Sequence, residues 1–106
     1  MKSILIAYLF ANGITSFQMV TYNEIHSELA EDCAIEIENT DSFQGYACRR
    51  YFDFLDTAKD LRSINRAWLS QADLSPKERE EVLYFIERGN RAMSYIVQRS
   101  SAVSQR

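Results

Sequence analysis

Apolar residues recur along most of the chain at intervals of three and four, the spacing of one face of an α-helix. Between residues 22 and 38 they fall at Tyr22, Ile25, Leu29, Cys33 and Ile37, which predicts a first helix. Thr21 or Asn23 is placed to cap it, and Glu24 suits the positive end of its dipole. Asn39-Thr40-Asp41-Ser42 reads as a turn and the next cap. A second apolar stripe starts near Phe43 and passes through Ala47, Tyr51, Phe54, Leu55, Ala58, Leu61 and Trp68. That is long for one helix, and Ser63 or Asn65 offers a break. Gly45 near its start suits close packing. Ser75-Pro76-Lys77-Glu78 has the form of a capping box with proline in the first turn, and opens a third helix. Val82, Leu83, Phe85, Ile86, Met93, Ile96 and Val97 supply its buried side, and Gly89 interrupts it, for close approach or as a kink. From Gln98 the chain turns polar, which predicts a frayed tail. Strand periodicity is absent after residue 20. The expected class is all-α, a small antiparallel bundle of three to four helices with short connections.

The first sixteen residues are patterned differently. Lys2 precedes the apolar run Ile4 to Phe10, and small or polar residues follow from Ala11 to Ser16. That order is the layout of a secretory signal peptide, cleaved after Gly13 or Ser16. A buried strand or core helix is the other reading of so short a run, and an uncleaved anchor a third. The run is shorter than the roughly twenty residues a spanning helix needs, so no stable membrane insertion is expected. The organisation expected is a signal peptide over 1–16 and a helical domain over 17–106, with its tail fraying from about 98.

Cys33 and Cys48 lie equidistant from the turn at 39–42, and an antiparallel hairpin brings such positions across from each other. A disulfide between the first two helices is therefore expected. It would close a fifteen-residue loop, worth about 3 kcal/mol in the chain-entropy model. Secretion and a disulfide support each other, since the bond persists in oxidising compartments. Two reduced thiols buried in a cytosolic bundle are the alternative.

Length and composition narrow the remaining classes. A chain of 106 residues with 46% hydrophobic and 25% charged residues is one ordinary globular domain. The net charge of −3 gives no general drive toward nucleic-acid phosphates. One His and two Cys exclude most zinc sites, so no metal or cofactor is expected. Residues 17–48 hold seven acidic residues and no Lys or Arg, a charge of −7; residues 49–106 hold eleven basic and eight acidic, a charge of +3. The plain reading is a solvated acidic face; the sharper one is a surface that steers a basic partner.

Leu29-Ala30-Glu31-Asp32-Cys33, followed after a spacer by Gly45-Tyr46-Ala47-Cys48-Arg49-Arg50-Tyr51-Phe52-Asp53-Phe54-Leu55-Asp56, resembles the Rap/Tai-type immunity proteins. The resemblance covers about residues 25–60 and the signal-like start. It implies a small secreted helical protein of a Gram-negative periplasm with its cysteines paired between helices. It also implies binding and neutralising a peptidoglycan amidase effector of type VI secretion, by contact. Ile86-Glu87-Arg88-Gly89 with Met93-Ser94-Tyr95 is similar to a stretch of the periplasmic antiholins of T-even phages.

Catalytic constellations are weak. His26 lies between Glu24 and Glu28 without a positioned partner, and Asp53, Asp56 and Asp60 read as a solvated face. A non-enzyme is expected. Trp68 and Tyr84 have the chemistry of interface anchors, Trp68 being the more suited to the core, and Gln71 and Asp73 sit in a connector open to a partner. Phe52 and Tyr84 leave apolar faces on which a homodimer could form. The expected function is a periplasmic or secreted inhibitor of a lytic enzyme or toxin. The alternative is an antiholin-like protein or a cytoplasmic helical interaction protein.

Overall fold

The computed structural model describes residues 15–71 and 73–104. The signal-like segment lies outside them except for Thr15 and Ser16. Four helices make up the described chain: α1 (Ser16–Thr40), α2 (Tyr46–Thr57), α3 (Leu61–Leu69) and α4 (Pro76–Ser104). The class is all-α, and a disulfide joins Cys33 to Cys48.

Helix α1 starts six residues before the position its apolar pattern predicts. Thr15 caps it, its hydroxyl accepting from the Gln18 amide at 3.2 Å while Gln18 Oε1 accepts from the Thr15 amide at 2.9 Å. Its end is set by Asp41, whose left-handed backbone (φ 56°) lets its N–H donate to the Ile37 carbonyl. Residues 43–45 do not join α2. It begins at Tyr46, after Gly45. The second apolar stripe breaks at Ala58–Asp60, earlier than Ser63. Helix α4 opens on the predicted capping box, Ser75 Oγ accepting from the Glu78 amide at 3.1 Å. It runs unbroken past Gly89 and continues through Ser104, beyond the polar switch at Gln98. Arg99 anchors that extension: its guanidinium donates to Tyr95 Oη at 2.7 Å and pairs with Asp41.

The disulfide and the Glu36 contacts make α1 and α2 antiparallel. Met19 clusters with Val82, the His26–Ser27 segment meets Gly89, and Asp41 pairs with Arg99, so α4 runs parallel to α1. A core around Ala30, Cys33, Ile37, Cys48, Tyr51, Ala92 and Ile96 joins α1, α2 and α4. A second cluster of Met19, Trp68 and Val82 seats α3 near the start of α1.

The buried face of α1 is rotated from the expected one. Met19, Asn23, His26, Ser27, Ala30, Cys33 and Ile37 are buried, whereas Tyr22 and Ile25 are 48% and 38% exposed. Helix α1 faces α2 on one flank and α4 on the other, so the arc between those flanks goes inside, polar positions included. Val97, also expected to be buried, is exposed.

Candidate functional site

Three regions hold the residues with chemistry. The first is a small cleft of about 90 Å³ among α1, the α2–α3 turn and α4, where Asn23, His26 and Asn65 meet Lys59, Arg62 and Asn90. His26 Nε2 lies 3.0 Å from Tyr51 Oη. Burial pushes the His26 pKa below its ordinary value and pushes Tyr51 up to about 12. Both groups are therefore neutral near pH 7. Asn23 and Asn65 pair reciprocally, each Nδ2 donating to the other's Oδ1 at 2.8 Å. Asn23 also donates to the Met19 carbonyl at 2.9 Å. These groups satisfy one another as buried polar atoms must, and they lock α3 onto α1. Among the described residues the side-chain hydrogen bond of His26 is with the Tyr51 hydroxyl and none is with a carboxylate. Gly89 faces the ring, and a Cβ there would overlap His26 Nδ1. Close helix approach is thus the role of that glycine.

The second region is a groove of about 340 Å³ walled by Met19 and Tyr22 of α1, Phe54 of α2, and Leu61 and Ile64 of α3. Lys59 and Asp60 of the α2–α3 turn stand at its edge. An apolar concavity with an exposed tyrosine at its lip suits an anchoring side chain from another molecule. Sequence reasoning assigned Tyr22, Phe54 and Leu61 to the core; the apolar run across a helix break was the available signal. The disulfide joins α1 to α2, two of the three helices that contribute walls, with Cys33 and Cys48 fully buried and their Cα atoms 4.3 Å apart. Glu36 adds a second tie, its carboxylate accepting from the Ala47 and Cys48 amides at 3.0 and 3.1 Å. It caps α2 in place of Gly45, which has no side chain to do so. A Cβ on Gly45 would overlap that carboxylate.

The third region gathers the residues expected to contact a partner, and the structure separates them. Trp68 is 1% exposed and packs with Met19 and Val82, so it is a core residue rather than an interface anchor. Together with Ile64 and Leu69, which pack on the same cluster, its apolar bulk seats α3. Gln71 is half-buried and Asp73 exposed in the connector after α3. Arg79 holds that connector by donating to the Leu69 and Gln71 carbonyls. Tyr84, 57% exposed, stands on another face, beside Ile35, Arg88 and Arg91 around a shallow depression between α1 and α4.

No protein-family model, curated protein or solved structure matches the chain. Among the described residues no three His, Cys, Asp or Glu side chains are grouped to hold a metal ion, and no helix is long and apolar enough to cross a membrane.

Proposed function

We propose that this chain is a secreted, disulfide-stapled inhibitor that acts in the periplasm by binding a cell-wall amidase effector or related toxin and blocking it. The observation that carries the reading is the buried Cys33–Cys48 bond between α1 and α2, two of the three helices that wall the apolar groove. A disulfide fits an oxidising compartment, and bracing a groove lowers the ordering cost of binding through it. The signal-like order of Lys2, the apolar run and the small residues supports export. The groove and the Arg79-held connector then form the contact surface, and inhibition requires no reaction by the chain itself.

The test is coexpression in a Gram-negative host with a periplasm-targeted peptidoglycan amidase, scored by lysis. The expected outcome is protection that depends on export. Intact mass of the recovered protein should show a shortened chain whose thiols alkylate only after reduction. A full-length cytoplasmic chain with both thiols free would replace this reading with an intracellular interaction protein.

A further inference from the structure

The small cleft among α1, the α2–α3 turn and α4 holds more hydrogen-bond donors than its own residues use. His26, Asn23 and Asn65 are buried at its floor, and Lys59, Arg62 and Asn90 stand exposed at its mouth. Asn23 directs its carboxamide hydrogens at the Met19 carbonyl and at Asn65. Asn65 returns one of its two to Asn23 and keeps the other. His26 Nε2 is engaged by the Tyr51 hydroxyl at 3.0 Å. A hydroxyl donating there leaves the imidazole proton on Nδ1, which has no hydrogen-bond partner among the described residues. Gly89 sets no side chain over that nitrogen.

The charge is one-sided as well. Lys59 and Arg62 have no ion pair among the described residues. Among the residues that line the cleft there is no Asp or Glu, and Asp60 lines the apolar groove instead. Two cations and unused N–H groups, with no carboxylate to answer them, suit an anion. Size limits which anion. The cleft of about 90 Å³ has room for a few water-sized bodies, against the roughly 300–1,000 Å³ of pockets that take drug-sized ligands. Nucleotides, sugar phosphates and peptides are too large for it. Leu55, Ile86 and Met93 give it apolar wall. Hydrocarbon beside the charges disfavours a strongly hydrated phosphate and suits a carboxylate on a short apolar stem.

We propose that this cleft binds a short-chain carboxylate. Arg62 presents a planar fork that matches the two carboxylate oxygens, and Lys59 adds a second positive charge. The free N–H groups of His26 and Asn65 direct the anion inward, and its stem lies against Leu55, Ile86 and Met93. The site is distinct from the groove assigned to a protein partner. Met19, Tyr22, Phe54 and Ile64 wall the groove alone, whereas Arg62, Asn65 and Asn90 line the cleft alone. The two share only the α2–α3 turn and the first residue of α3, through Ala58, Lys59 and Leu61.

The test is a nuclear magnetic resonance titration of the full, disulfide-bonded chain with butyrate, at an ionic strength matched with sodium chloride. His26 is the single histidine of the chain, so its ring signals report on the cleft without ambiguity. The expected result is a saturable shift of those signals, half-complete at millimolar butyrate, as a ligand this small allows. Butanol and butylamine carry the same stem without the negative charge and are expected to give no such shift, and neither is inorganic phosphate. Arg62→Gln and Lys59→Gln alter exposed side chains, and each is expected to weaken butyrate about tenfold while circular dichroism and the thermal midpoint stay as in the wild type. The absence of a saturable shift with butyrate overturns the proposal. So does an equal response to butanol, which would mark a purely apolar cavity, or to phosphate, which would mark an unselective anion contact. Undiminished binding in Arg62→Gln overturns it too. None of these readouts uses an amidase, so the inhibitor reading can fail independently.

Discussion

At the scale of single residues, Gly45 and Gly89 are spacers for specific side chains. Gly45 leaves room for the Glu36 carboxylate, and Gly89 leaves room for the His26 ring. Glu36→Ala removes the acceptor from two amides at the start of α2, and should cost about 1–2 kcal/mol in urea unfolding. Gly89→Ala should cost about 1–3 kcal/mol through overpacking. The double variant with His26→Ala should be less destabilised than the sum of the singles, because the overlapping partner is gone. The His26–Tyr51 pair also sets how stability depends on pH. Burial lowers the folded pKa of His26, so the unfolded chain binds the proton more readily. Stability from this group is full above about pH 6.5 and declines as pH falls through the folded pKa. The Tyr51 hydroxyl and the Lys59 and Arg62 cations around the cleft offer the imidazolium no countercharge. The Tyr51 pKa is raised to about 12, so its contribution is full below about pH 10 and is lost as pH rises through 12. Unfolding measured across pH should show both limbs, and Tyr51→Phe should flatten the alkaline one.

At the scale of elements, the helical class, the Ser75 capping box and the turn after α1 were legible because each rests on local chemistry. The facing of α1 was not. Its period was readable, but the buried arc includes Asn23, His26 and Ser27, which sequence rules place outside. Hydrogen bonds across forty-two residues, Asn23 to Asn65, make that arrangement stable, and no local pattern reports them. The start of α1 was hidden for another reason: Thr15 belonged to a segment patterned as a signal. The groove was missed because its walls come from three helices, and Trp68 was read as ambiguous until α3 could be placed. Helix α3 is short and depends on few anchors. Trp68→Ala should cost about 3–5 kcal/mol. Hydrogen exchange should show α3 amides losing protection at lower free energy than those of α1 and α4 in the wild type.

At the scale of the whole molecule, a core divided between two clusters is modest, and the disulfide unites α1 with its antiparallel neighbour α2. Replacing both Cys33 and Cys48 by serine should lower stability by about 3 kcal/mol. For a domain of this size that is a fall in Tm on the order of 10–20 °C, readable by thermal circular dichroism. The loss should be equal in the reduced wild type if the staple acts through the unfolded chain rather than through side-chain packing.

The parallel course of α1 and α4 has an electrical result. Peptide dipoles of the two longest helices add instead of cancelling, along a body whose longest extent is 47 Å. At the pole where both helices begin, hydrogen bonds from Ser75 and then from Ser16 hold the Glu78 carboxyl below its ordinary value. At the opposite pole Asp41, the C-cap of α1, pairs with Arg99, and Glu38 is exposed in the last turn. The molecule therefore behaves as a bar with unlike ends. In dilute salt a cationic body diffusing past it would be turned toward the end where the dipoles of α1 and α4 finish before any surfaces touch.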